Sequence, residues 1–108
     1  MNVQWRRQEQ SQAPSPAGLV RLSDARRGDR GVVIAVSPQA MTAASLDERE
    51  ELERRLLEIG FVEGARVAVL HEGFIGRDPI AVRLDDMRVA LRRREAQGVL
   101  IRLEAPGE

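Results

Sequence analysis

His71, Glu72 and Asp78 come nearest to chemistry by type and spacing. They place one imidazole nitrogen and two carboxylates close together, with Asp85 and Asp86 beyond them, a set that can offer nitrogen and oxygen ligands to a divalent cation. The set is poor in soft donors. His71 is the only histidine and there is no cysteine, so two-histidine metal motifs, thiolate nucleophiles and disulfides are all excluded within the chain. A catalytic dyad or triad has one candidate base at most. The same residues fit a solvated strand end followed by a turn, and the expectation is no metal, cofactor or catalytic site.

Other motifs reduce in the same way. Arg92-Arg93-Arg94 has the charge of an anion site or of an arginine finger, but the chain carries 17 basic residues, all arginine, so the default is a solvated turn neutralised by Glu95, Asp85 and Asp86. Gly73-Phe74-Ile75-Gly76 has the letters of the loop that clamps nucleic-acid backbone in KH domains. That loop joins helices and carries small or basic residues, whereas this one joins predicted strands and carries two large apolar groups. Aromatic residues are too few and too dispersed for a base-stacking platform. Phe74 and Ile75 matter instead as apolar side chains on a glycine-flanked loop. Two uses are open: folding back over an open barrel end, or anchoring a partner.

The elements that position these residues are legible from periodicity. Ser45 with Glu48 has capping-box spacing, and Asp47 adds negative charge to the positive end of the helix dipole. Leu52, Leu56 and Ile59 recur at helical spacing, and Gly60 is placed to end the helix in a left-handed cap with Phe61 folding back. Leu46 and Leu57 lie off that stripe, free for a partner helix unless the core takes Leu57. Alternation predicts five short strands, over Val32–Val36, Val67–Val69, Ile80–Leu84, Arg88–Arg92 and Val99–Leu103, with Asp85-Asp86 a tight hairpin and about one helical turn within Arg93–Gly98. Five strands with one inserted helix favour a small, closed, all-β barrel.

Composition bounds the rest. A chain of 108 residues has room for one small domain. The formal net charge is 0, which disfavours a general polyanion binder. Charge is nonetheless segregated: residues 1–30 carry six arginines against three acids, and residues 46–64 carry three arginines against seven acids. Residues 1–18 are rich in Gln, Ser, Pro and Ala and read as a disordered extension; residues 105–108 read as a flexible tail. No stretch approaches the roughly 20 apolar residues of a membrane helix, so a soluble, cytoplasmic protein without direct membrane insertion is expected.

The run RRLLEIGFVEGARVAVLHEGFIGRDPIAVRLDDMRVALRRREAQGVLIRL, with LSDARRGDRGVVIAV before it, resembles the ferrous iron transport protein A (FeoA) family. The matching features are the leucine-rich turn ending at Gly60, the turn at Gly64, the Gly76–Pro79 loop and VALRRREA before a closing apolar strand, within a domain of residues 19–104. Glu63-Gly64 stands where the family commonly has Pro-Gly, Arg77 intrudes between Gly76 and Asp78, and Asp85-Asp86 replaces a glycine hairpin. The resemblance implies an SH3-like barrel acting as an interaction module on the cytosolic part of the ferrous iron permease FeoB, with Phe74, Ile75, Leu57 and Leu46 as candidate contacts. The family's association with transition metals does not itself place a metal on this chain. A second resemblance, to the C-terminal domain of iron-dependent repressors, implies a metal-linked regulatory domain instead.

Overall fold

The structure is a computed structural model that describes residues 18–38 and 45–104. The expected N-terminal extension, except Gly18, and the C-terminal tail lie outside the described residues. Along the chain come β1 (Leu19–Arg21), a 3-10 turn (Leu22–Asp24), β2 (Arg30–Val36), α1 (Leu46–Ile59), β3 (Arg66–Ile75), β4 (Asp78–Leu84), β5 (Met87–Leu91), α2 (Arg93–Ala96) and β6 (Val99–Leu103).

Helix α1 starts and stops where its residues dictate. The Ser45 side chain accepts the Glu48 backbone N–H at 3.1 Å, and the Glu48 carboxylate accepts the Ser45 backbone N–H at 2.9 Å, so two of the backbone donors left open at the helix start are satisfied. At the other end Gly60 has φ of 127°, open to glycine and strained for other residues, and its N–H donates to the carbonyls of Leu56 and Leu57. Phe61 then turns inward and is fully buried. Leu52 and Leu56 are the helix's buried stripe, with Ile59 packed against it.

All strand pairs are antiparallel, in the order β1-β6-β2-β3-β4-β5. There are six strands rather than five, because Leu19–Arg21 pairs with Leu100–Arg102 of β6. Strand β3 is also longer than its Val67–Val69 core. It runs through His71 and Gly73 to Ile75, with irregularities at Val69/His71 and Glu72/Ile75 that let a glycine-containing segment stay paired. Among the described residues no strand pair joins β5 to β1; the 3-10 turn and α2 pack together across that interval, α2 also touching β4 and β5.

Alternation sorts the side chains. Val33, Ile80, Val82, Leu84, Val99 and Ile101 point inward and join Leu22, Leu56 and Phe61 in one apolar core. The outer face of the sheet carries Arg30, Arg66, Arg83, Arg88 and Arg102, all exposed. No described helix is long and apolar enough to cross a membrane.

Candidate interaction site

The turn between β3 and β4 is Gly76-Arg77, flanked by the Ile75–Asp78 pair. Both turn residues have positive φ, 66° and 61°, as two-residue hairpins of the I′ type require. The arginine that departs from the family pattern therefore sits in a left-handed conformation normally given to Gly, Asn or Asp. Gly73 on the incoming strand has a second requirement: a Cβ there would stand 2.0 Å from the Asp78 carbonyl oxygen. The two backbones meet at a distance only glycine permits.

This narrow hairpin carries Phe74 and Ile75 at its tip, with relative exposures of 104% and 86%. Of the two uses open to them, folding back over a barrel end is not what the structure adopts. Both side chains face solvent, and neither belongs to the apolar core.

The base of the hairpin is clamped by the short helix that follows β5. Arg93, the first residue of α2, donates from Nε to the Arg77 carbonyl at 2.7 Å, from Nη1 to the Ser23 carbonyl at 2.5 Å and from Nη2 to Glu72 Oε1 at 3.0 Å. Its backbone N–H donates to Asp78 Oδ1 at 2.8 Å. Glu72 Oε2 accepts the Arg27 backbone N–H at 2.8 Å. One guanidinium thus ties the hairpin, the 3-10 turn and α2 together across the interval that no strand pair closes. The Arg27 N–H holds the Glu72 carboxyl below its ordinary value; burial opposes it, and the nearby charges of Arg77, Arg93 and Arg26 add to the lowering.

Two sequence expectations are corrected here. Arg92 and Arg94 are exposed, as a solvated turn requires, but Arg93 is largely enclosed by carbonyls and carboxylates. Its carboxylate partners are Glu72 and Asp78, not Asp85; Asp85 Oδ1 instead accepts the Arg66 backbone N–H at 3.0 Å, at the far end of β4. The signal was strand parity: Met87, Val89 and Leu91 lie on one side of β5, and Arg93 continues the same alternation.

The candidate metal ligands are dispersed. His71 is exposed opposite Ala81, while Glu72 and Asp78 are engaged as above. Among the described residues no three of His, Asp and Glu converge on a common point.

On α1, Leu46 is 66% and Leu57 43% exposed, so the core does not take Leu57. Val62 and Met87, which sequence reasoning passed over, are also exposed. A Cβ on Gly60 would lie 4.0 Å from Met87 Cε, which places β5's first residue beside the end of the helix. The structure therefore has apolar groups at the hairpin tip, at one end of β4, and around Gly60, at the other.

Comparison with known proteins gives this geometry a family. Residues 20–103 match the FeoA domain. The chain belongs to the FeoA domain family. An 84-residue segment, 78% of the chain, is 32% identical to the Fe(2+) transport protein A/Fe(2+) transporter FeoB fusion protein of Porphyromonas gingivalis (strain ATCC BAA-308 / W83), and spans 9% of that protein's length. The FeoA protein of Chlorobium tepidum is 34% identical with a TM-score of 0.62, over 82% of this chain and 74% of that one. The Stenotrophomonas maltophilia FeoA complexed with zinc, an SH3 domain protein, is 30% identical with a TM-score of 0.61, over 76% and 88% of the two chains. The SH3-like assignment of this FeoA domain follows.

Proposed function

We propose that this FeoA-domain chain is a cytoplasmic accessory of ferrous iron uptake that docks on the cytosolic part of a FeoB-type transporter and acts by contact, without covalent chemistry of its own. Phe74 and Ile75 are the anchor; Leu57 and Leu46 on α1 form a second contact. The observation that carries this reading is the full exposure of two large apolar side chains on a hairpin whose base is clamped. Such a tip presents preorganised apolar area at little ordering cost, the character of an interface hot spot. The fused relative supports the choice of partner, since fusion replaces association of separate chains by a covalent link.

The test is capture of the soluble cytosolic domain of FeoB by the immobilised chain. Phe74→Ala and Ile75→Ala should each weaken capture by roughly 30-fold or more if they are hot spots, a loss of about 2 kcal/mol. Both variants should remain folded. Unchanged capture by the double variant removes the tip from the proposal.

A further inference from the structure

Two surfaces of this chain each carry a pair of charges without an ion-pair partner among the described residues, and the spacings of the two pairs match. The first is the outer face of the sheet. Strand register places Arg30, Ala68, Arg83 and Arg88 in one row across β2, β3, β4 and β5. Arg30 and Arg66 reach the Glu104 carboxylate at 4.0 and 2.9 Å. Arg83 and Arg88 directly oppose each other, and neither has an ion-pair partner among the described residues. Like charges in direct cross-strand opposition destabilise a sheet, so a carboxylate delivered between them relieves an existing repulsion. A groove of about 520 Å³ beside them is lined by Arg30, Arg66 and Arg83 together with Asp85 and Asp86, the Asp85 carboxylate already engaged by the Arg66 backbone N–H.

The second surface is the outward stripe of α1. Leu46, Glu50, Glu53 and Leu57 stand at i, i+4, i+7 and i+11, on one face of the helix, and all four are exposed. Glu48 pairs with Arg94 and Glu51 with Arg54, but Glu50 and Glu53 have no ion-pair partner among the described residues. The unspent acids therefore lie between two unspent leucines.

The spacings agree. Glu50 and Glu53 are separated along the helix by about 4.5 Å. Arg83 and Arg88 lie on neighbouring strands, about 4.8 Å apart. A helix laid across the strands sets one glutamate on each arginine. Leu46 and Leu57, each about 6 Å further along the axis, then fall on either side of the pair, one toward Ala68 and one at the β5 edge. The same molecule cannot make this contact, because α1 packs its Leu52 and Leu56 into the core on the inner side of the sheet, opposite the arginines.

We infer that the chain associates with itself head to tail, the α1 stripe of one copy seated across Arg83 and Arg88 of the next. The two surfaces differ, so the contact is heterologous and adds copies rather than closing a two-fold pair. Exposed ion pairs are individually weak and salt-screened, so association appears at high protein concentration and low ionic strength. It covers Leu46 and Leu57 and so competes with any partner held by α1, while Phe74 and Ile75 stay free.

Sedimentation velocity on the full chain tests this without any transporter, so its failure is separable from failure of the docking proposal. The weight-average mass should rise from micromolar to millimolar protein in low salt and return to the monomer value in high salt. R83E/R88E and E50R/E53R should each be monomeric, and an equimolar mixture of the two should recover association, because both reversed surfaces then find opposite charges. If a reversed variant does not fold by circular dichroism, R83Q/R88Q and E50Q/E53Q replace it, with association weakened on the order of tenfold in each. A wild-type chain monomeric at millimolar concentration in low salt, association undiminished in any of these variants, or a charge-swapped mixture that stays monomeric would overturn the inference.

Discussion

The Arg93 guanidinium donates to the Glu72 carboxylate at 3.0 Å, joining α2 to the strand that leads into the exposed hairpin, with both side chains no more than 16% exposed. The same guanidinium holds the carbonyls of Ser23 and Arg77. In a sheet whose end strands β1 and β5 are not paired with each other among the described residues, this cluster does the joining that a strand ladder does elsewhere.

Arg93→Ala should therefore be costly for a residue in an arginine run. It strips donors from the carbonyls of Arg77, Ser23 and, at longer range, Ala25, and leaves Glu72 facing fewer cations. Hydrogen bonds from a charged donor are worth about 1.5–3 kcal/mol each, less where water can substitute, so a loss of about 2 kcal/mol is expected in urea denaturation. Arg92→Ala and Arg94→Ala, on exposed side chains, should stay within about 0.5 kcal/mol.

Acid should loosen the same cluster. The Glu72 carboxyl is held below its ordinary value in the folded chain, first by the Arg27 N–H and then by the surrounding arginines. A group lowered on folding contributes stability that is complete above its unfolded value and is lost as pH falls through the folded one. The melting temperature should fall over that acidic window, and Glu72→Gln should flatten that part of the curve. Identical acid limbs for the two proteins would remove Glu72 from the explanation.

Gly73→Ala should damage the hairpin more than the usual strand glycine substitution. The added Cβ meets the Asp78 carbonyl oxygen at 2.0 Å, so the β3–β4 backbones must separate. Overpacking of this kind costs about 1–3 kcal/mol. Hydrogen exchange should show faster opening of residues 71–80, with α1 little affected.

Ser45→Ala should cost about 1 kcal/mol by removing half of the capping box. Leu56→Ala, at a site with no exposure, should cost about 2–5 kcal/mol. Thermal denaturation of both variants places the cap and the core on one scale.

What the sequence disclosed follows from the range of the interactions. Ser45, Glu48 and Gly60 act within a few residues of themselves, so the helix and its ends were readable. Alternation in β4, β5 and β6 disclosed the core face for the same reason. Strand β1 was not readable, because LVR gains its identity only from pairing with Leu100–Arg102, some 80 residues away. The reach of β3 to Ile75 was hidden by Gly73, which reads as a strand break yet serves close backbone approach. Arg93 was hidden by its neighbours, since three adjacent arginines look alike until strand parity turns one of them inward. Phe74 and Ile75 stand out in the sequence as apolar residues on a loop, but whether they fold back or face water depends on the turn and the clamp beneath it.

The docking account is tested most directly by titrating the isotopically labelled chain with the soluble cytosolic domain of FeoB and following backbone amide shifts. The account predicts that the largest perturbations fall on residues 72–78, with smaller ones along the exposed face of α1, and that Phe74→Ala abolishes the former. Saturable binding that leaves the hairpin amides unmoved, or no binding at millimolar partner, would contradict it.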